Sequence, residues 1–136
     1  MLLHLTDLSD EPLQQQIIRQ IRAHILSGEL PAHADLPSIR ELASQARVSV
    51  ITVQRAYEAL LDDELIYARR GKGYFVSATT SAEKRQLAEK NLKNQLPSIY
   101  QRALNEGLPA QSIRQISHEI IEQLINETEE IHENGI

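Results

Sequence analysis

LPSIRELASQARVSVITVQRAYEALLDDELIYARRGKGYFV, residues 36–76, is the stretch whose reading decides the fold. It opens on Ser38-Ile-Arg-Glu41, a capping box. The serine oxygen accepts from the third amide of a helix, and the glutamate reaches back to the serine amide. A short helix follows to about Ala46, with Ile39, Leu42, Ala43 and Ala46 facing inward. Val48 lies in a tight connection, and Ser49 is placed to cap a second helix that runs to about Asp62. Val53, Ala56, Tyr57, Leu60 and Leu61 give that helix its buried stripe. Val50, Ile51, Gln54, Arg55 and Glu58 fall on the other face. Leu65 to Arg69 is short, apolar and β-compatible, Gly71-Lys-Gly73 is a turn, and Tyr74-Phe-Val76 is a return strand. Two short helices joined tightly, then a hairpin with a basic tip, make a winged helix-turn-helix. In that geometry the second helix enters the major groove of a DNA duplex, braced by the first.

Upstream, Glu11 to Ser27 is expected to be helical, because Leu13, Ile17, Ile21 and Ile25 recur every four residues. Asp10 is the expected N-cap, Pro12 suits the first turn, and Gly28 is a natural stop. Glu29 to Pro37 contains two prolines and reads as loop. Downstream, Ser77 to Ser81 is small and polar and marks a boundary, so residues 1–77 form the winged domain and residues 78–136 a helical appendage. One helix is expected from about Ala82 to Leu96, with Pro97 kinking or breaking it and a second piece reaching Glu106. After Gly107-Leu-Pro109 the last helix runs from about Ala110 to Thr128. The fold class is mainly α with a small β-hairpin: an N-terminal winged helix-turn-helix, then a short all-helical dimerisation region.

That dimerisation reading comes from the last helix. Its stripe of Ile113, Ile116, Ile120 and Leu124, with Ile121 and Ile125 beside it, is too apolar to stand alone in water. A lone helical hairpin is a weak fold, so association is the expected solution. A homodimer built between about Leu87 and Ile125 would have Leu92, Leu96, Ile99, Ile113, Ile116, Ile120 and Leu124 as its core. Half-sites one turn of duplex apart, about 34 Å, ask for the same two-fold symmetry.

Composition narrows the classes. The net charge of −5 disfavours indiscriminate coating of DNA, but the charge is unevenly spread. Acids crowd the segment from Glu119 to Glu133, whereas Ile66 to Val76 holds Arg69, Arg70 and Lys72 and no acid. There is no cysteine, and His4, His24, His33, His118 and His132 are scattered without metal-ligand spacing, so no metal or cofactor is expected. No phosphate-cradling loop, nucleophile elbow or acid–base pair is recognisable, so an enzyme is not expected and no residue is assigned as catalytic. No apolar run approaches the roughly 18 residues that span a bilayer. The acid-bearing start, without a basic n-region, is not a signal peptide, which places the chain in the cytoplasm as an expectation. Tyr100, Arg102 and Arg114 are better explained by packing and surface charge than as the lining of an effector cavity. A metabolite-sized space of about 300 Å³ or more is hard to enclose in two or three helices.

Five linked pieces carry a family resemblance. They are Gly28-Glu-Leu-Pro31, Leu36-Pro-Ser-Ile-Arg-Glu-Leu-Ala43, Val48-Ser-Val-Ile-Thr-Val53, Ala56-Tyr-Glu-Ala-Leu60 and Gly71-Lys-Gly-Tyr-Phe-Val76. In order and spacing, over about Pro12 to Val76, they resemble the DNA-binding domain of the GntR family. Pro12-Leu-Gln-Gln-Gln-Ile17 and Gln54-Arg-Ala-Tyr57 resemble its small YtrA-like branch. The resemblance implies that Arg40 contacts DNA from the first helix of the motif. It implies that Val50, Ile51, Thr52 and Gln54 lie on the recognition helix, and that Gly71 or Gly73 forms the wing beside Lys72. By position, Arg47 in the turn, Ser49 at the helix start, Arg55 on the exposed face and Arg70 at the hairpin tip join the candidate set. Thr52 is as suited to capping as to phosphate contact, and Arg47 either meets a phosphate or points to solvent. Many relatives carry arginine where Val50 and Gln54 stand. Apolar side chains meet the thymine methyl and glutamine suits adenine, so an A·T-richer half-site is expected. The resemblance further implies a dimeric repressor of a double-stranded operator, often of its own operon and linked ABC transporter genes. It leaves the effector unknown. The rival reading is a winged-helix adaptor that binds protein and not DNA; the basic tip argues against it.

Overall fold

The structure, a computed structural model, describes residues 3–134. Its elements run α1 (Leu13–Leu26), α2 (Ile39–Ala46), α3 (Val50–Asp62), β1 (Ile66–Arg69), β2 (Gly73–Val76), α4 (Ser81–Asn105) and α5 (Ala110–Asn134). The chain divides into two units, one up to Ala88 and one from Glu89.

The core of the first unit follows from periodicity. Ile17, Ile21 and Ile25 of α1 are fully buried together with Val53, Ala56, Tyr57 and Leu60 of α3. Leu42 and Ala43 from α2, and Ile66 and Val76 from the hairpin, close the cluster. The hairpin is antiparallel, with Ile66 opposite Val76 and Arg69 opposite Gly73. The Tyr57 ring meets Tyr74 edge to face at 4.9 Å, and its hydroxyl donates to the Pro37 carbonyl at 2.7 Å. Burial, then the neighbouring Tyr74 and Glu41, hold the Tyr57 phenol well above its ordinary pKa range.

Helix ends are set by local chemistry. Ser38 Oγ accepts from the Glu41 amide at 3.1 Å, the serine half of the expected box. Ser49 Oγ accepts from the Thr52 amide at the same distance. α2 and α3 both close with a left-handed residue, Arg47 at φ 56 and Glu64 at φ 57. The next amides, of Val48 and Leu65, bond back to Ala43 and Leu60 at 3.0 Å each.

Four expectations are corrected or resolved. Asp10 is not the N-cap of α1: Pro12 is, and no side chain caps it. Instead, buried Gln16 and half-buried Gln20 anchor the preceding arm. Gln20 accepts from the His4 amide and donates to the His4 carbonyl, both at 2.7 Å. Gln16 does the same for Thr6 at 3.0 and 2.9 Å and also donates to the Glu11 carbonyl at 2.8 Å. Each primary amide thus replaces one neighbouring strand residue. Second, the stretch after Gly28 is not only loop, because residues 33–36 dock on the free edge of β2. His33 donates to the Val76 carbonyl at 2.7 Å, Val76 to Ala34 at 3.0 Å and Leu36 to Tyr74 at 2.9 Å. Third, kinking and breaking at Pro97 were both open, and α4 passes through Pro97 unbroken as one helix. α4 buries no residue, so water can take the carbonyl that Pro97 leaves without a donor. Fourth, α5 extends past Thr128 to Asn134.

Arg22 ties the first unit together. It pairs with Asp63 at 3.0 Å and donates to the Leu87 carbonyl at 3.0 Å, joining α1, the end of α3 and the early turns of α4. In the second unit α4 ends at Asn105; Gly107 just beyond it has a φ of 91, which suits glycine, and the Leu108 amide bonds back to Ala103 at 3.1 Å. Half-buried Leu96 and Ile113 lie among exposed Leu92, Ile99, Ile116, Ile120 and Leu124.

Candidate nucleic-acid interface

Burial of one α3 face dictates what the other presents. At about 100° per residue, fixing Val53, Ala56, Tyr57 and Leu60 inward turns Val50, Ile51, Gln54, Arg55 and Glu58 outward. Val50 is 46% exposed and Ile51 57%. Two large apolar side chains in water at a helix start contribute nothing to this core, which marks them for contact with something else. Beside them, Gln54 Nε2 donates to Glu58 Oε1 at 3.3 Å, leaving its carbonyl oxygen and a second N–H for another partner. Thr52 is half-buried, and its hydroxyl meets Ser49 Oγ at 2.7 Å, so both hydroxyls serve the cap of α3.

The cations sort into two sets. Arg19 and Arg22 are structural, paired with Glu11 and Asp63. The Arg19 pKa is raised, by the Glu11 hydrogen bond first and its charge after that, against opposing desolvation. Arg40, Arg47, Arg55, Arg70 and Lys72 are exposed and make no ion pair among the described residues, so Arg40 is not held by Glu41 or Glu58. Arg40 stands in the first turn of α2, and Arg47 between α2 and α3.

The wing closes on a turn in which the Lys72 amide donates to Arg69 at 2.9 Å with Gly71 at φ 73. A left-handed third position is what a type II turn requires. Gly73 is also left-handed, at φ 110, and pairs with Arg69. On the outer face of the hairpin a series of contacts was not foreseen. His33 Nδ1 meets the Tyr67 hydroxyl at 2.8 Å, Tyr67 stacks on Phe75 at 5.6 Å, and the Arg69 guanidinium lies 6.0 Å from the Phe75 ring centre. Period-two alternation puts residues 67 and 69 on one face and carried that signal. His33 arrives from the loop, where no pattern points to it.

The arrangement has apolar and amide groups at the start of one helix, with unpaired cations before it, beside it and on a hairpin tip. Among the described residues no cluster of metal-ligating side chains exists and no helix is long and apolar enough to cross a membrane.

Residues 13–76 match the family described as "Bacterial regulatory proteins, gntR family". The HTH-type transcriptional repressor NagR of Bacillus subtilis is 33% identical over 120 residues, 88% of this chain. The chain spans only 44% of NagR. Among solved structures, a GntR family transcriptional regulator from Listeria monocytogenes has a TM-score of 0.67 at 28% identity, covering 85% of this chain and 98% of that one. YtrA from Sulfolobus acidocaldarius, a GntR-family transcription factor, has a TM-score of 0.57 at 34% identity, covering 76% and 97%. With its helix order, capped α3 and glycine-turned wing all in place, the chain belongs to the GntR family.

Proposed function

We propose that this chain is a sequence-specific DNA-binding repressor that acts in the cytoplasm as a homodimer on a palindromic operator. The observation that carries this is the outward face of α3: Val50, Ile51 and Gln54 exposed without a core role, flanked by unpaired cations. Residues 1–77 do the binding and residues 78–136 the pairing. Val50 and Ile51 meet thymine methyl groups, and Gln54 reads adenine through the amide edge that Glu58 leaves free. Ser49, Thr52 and Arg55 flank the backbone at the start of α3. Arg40, Arg47, Arg70 and Lys72, with the close approach allowed by Gly71 and Gly73, contact phosphates and fix register. The role is binding and not catalysis. The similarity to NagR, a repressor, and to the Sulfolobus YtrA, a transcription factor, supports the reading. The implied targets are its own operon and linked transporter genes.

Selection of bound duplexes from a random pool tests this. A palindrome is expected, with half-sites about one helical turn apart and A·T pairs facing Val50 and Gln54. Guanine at those positions would refute the A·T reading alone. No enrichment and no DNA affinity at any salt would favour a protein-binding adaptor.

A further inference from the structure

Within the second unit, the end of α4 and the start of α5 line an open groove of about 470 Å³. That is inside the range of small-molecule sites, where the sequence had argued against one. Its apolar walls include Ile113 and Ile121. Its lining also includes polar residues. Tyr100 from α4 and Ser117 from α5, both in its wall, share a hydrogen bond of 3.3 Å. Arg114 and His118, one turn apart on α5, line it as well. Among the described residues Arg114 makes no ion pair. The groove shares Ile113 with the face proposed for pairing, but most of its α5 lining lies to one side of that face. On α5, Arg114, Ser117, His118 and Ile121 centre roughly a quarter-turn round from the stripe of Ile116, Ile120 and Leu124. A second copy packed on that stripe would leave Arg114 exposed and able to meet an anion.

We propose that this groove binds a small organic carboxylate with an apolar body. The carboxylate sits on the Arg114 guanidinium, a geometry suited to paired N–H···O bonds. The Tyr100 and Ser117 hydroxyls lie beside it, and the apolar body covers Ile113 and Ile121. Neither a sugar nor a phosphate fits walls that are mostly hydrocarbon. The site is independent of DNA recognition.

The test is titration of the full ¹⁵N-labelled chain with sodium octanoate, followed by amide shifts, with octanol as the uncharged control. Saturable shifts confined to residues around Tyr100 and from Ile113 to Ile121 are expected for octanoate, with octanol much weaker. Arg114→Gln, at an exposed position, should weaken octanoate by about tenfold or more, the share of a charge-assisted hydrogen bond, and leave octanol unchanged. Tyr100→Phe, which keeps the ring and removes the hydroxyl, should weaken octanoate by a smaller factor. Absence of saturable shifts overturns the proposal. So does equal binding of octanol and octanoate, or octanoate binding that Arg114→Gln leaves untouched.

Discussion

Arg47 sits in the left-handed region at φ 56, where the Cβ of an L-residue crowds the next carbonyl at a cost of roughly 1–2 kcal/mol. Glycine would end α2 without that strain, although it would also loosen the unfolded chain. Arg47→Gly is therefore expected to raise stability by roughly 0.5–1 kcal/mol in denaturant unfolding. It should at the same time weaken DNA binding and lower the salt slope by about 0.9, one phosphate contact. A stabilised variant with unchanged DNA affinity would leave Arg47 no place at the interface. Arg40→Ala should weaken binding to every sequence by about tenfold or more and spare the fold, because Arg40 makes no ion pair among the described residues. Gln54→Ala should instead relax preference at one base position by about 1–3 kcal/mol, read out by competition between duplexes. Exposure of Val50 and Ile51 was legible from their phase on α3 alone. The roles of Gln16 and Gln20 were not, because an amide pairing with backbone ten or more residues away leaves no periodic trace.

α3 is the element on which the site depends, and its ends and buried face were both readable: Ser49 as cap, Val53, Ala56, Tyr57 and Leu60 as stripe. What the pattern hid was how Tyr57 is held. Its ring is buried, yet its hydroxyl must be satisfied, and the Pro37 carbonyl does so from the residue just before the Ser38 cap. The helix thereby grips the loop that leads into α2. The phenol pKa is higher folded than unfolded, so the unfolded chain releases this proton first. Its contribution is fully present below the ordinary tyrosine value of about 10 and is lost as pH rises beyond it toward the raised folded value. Unfolding free energy measured from neutral to alkaline pH should fall by up to about 1.4 kcal/mol per unit above that point. In Tyr57→Phe this component should vanish, at a cost of about 1–3 kcal/mol near neutrality for the Pro37 carbonyl left without its donor. The docking of residues 33–36 on β2 escaped the sequence for a similar reason. Prolines at 31 and 37 advertise a loop, and the edge bonds depend on a strand that lies forty residues further on.

At the scale of the whole molecule two facts pull against each other. The chain carries a net charge of −5, with its acids concentrated on α5, while each copy offers DNA only a handful of unpaired cations. One copy alone should therefore hold a duplex weakly, with a salt slope of only about 0.9 for each of its few phosphate contacts. The proposed pairing would resolve this, because a second recognition helix on the same duplex would bind at a high effective concentration. The helical character of α5 was legible from Ile113, Ile116, Ile120 and Leu124; the continuity of α4 through Pro97 was not, since an exposed proline can either end a helix or cost it one bond. Ile120 lies at the middle of the α5 stripe and is 51% exposed in one chain, so replacing it disturbs no core of that chain. Ile120→Glu should leave the fold intact by circular dichroism but place two carboxylates in one apolar seam, where neither can stay hydrated. Sedimentation should then show monomers where the parent shows dimers at micromolar concentration. Affinity for a full palindrome should drop about a hundredfold or more, the avidity of a linked second site, whereas affinity for a single half-site should not move. A variant that loses half-site affinity equally would place the damage in the winged domain, and a parent chain that sediments as a monomer would remove the dimer from the mechanism.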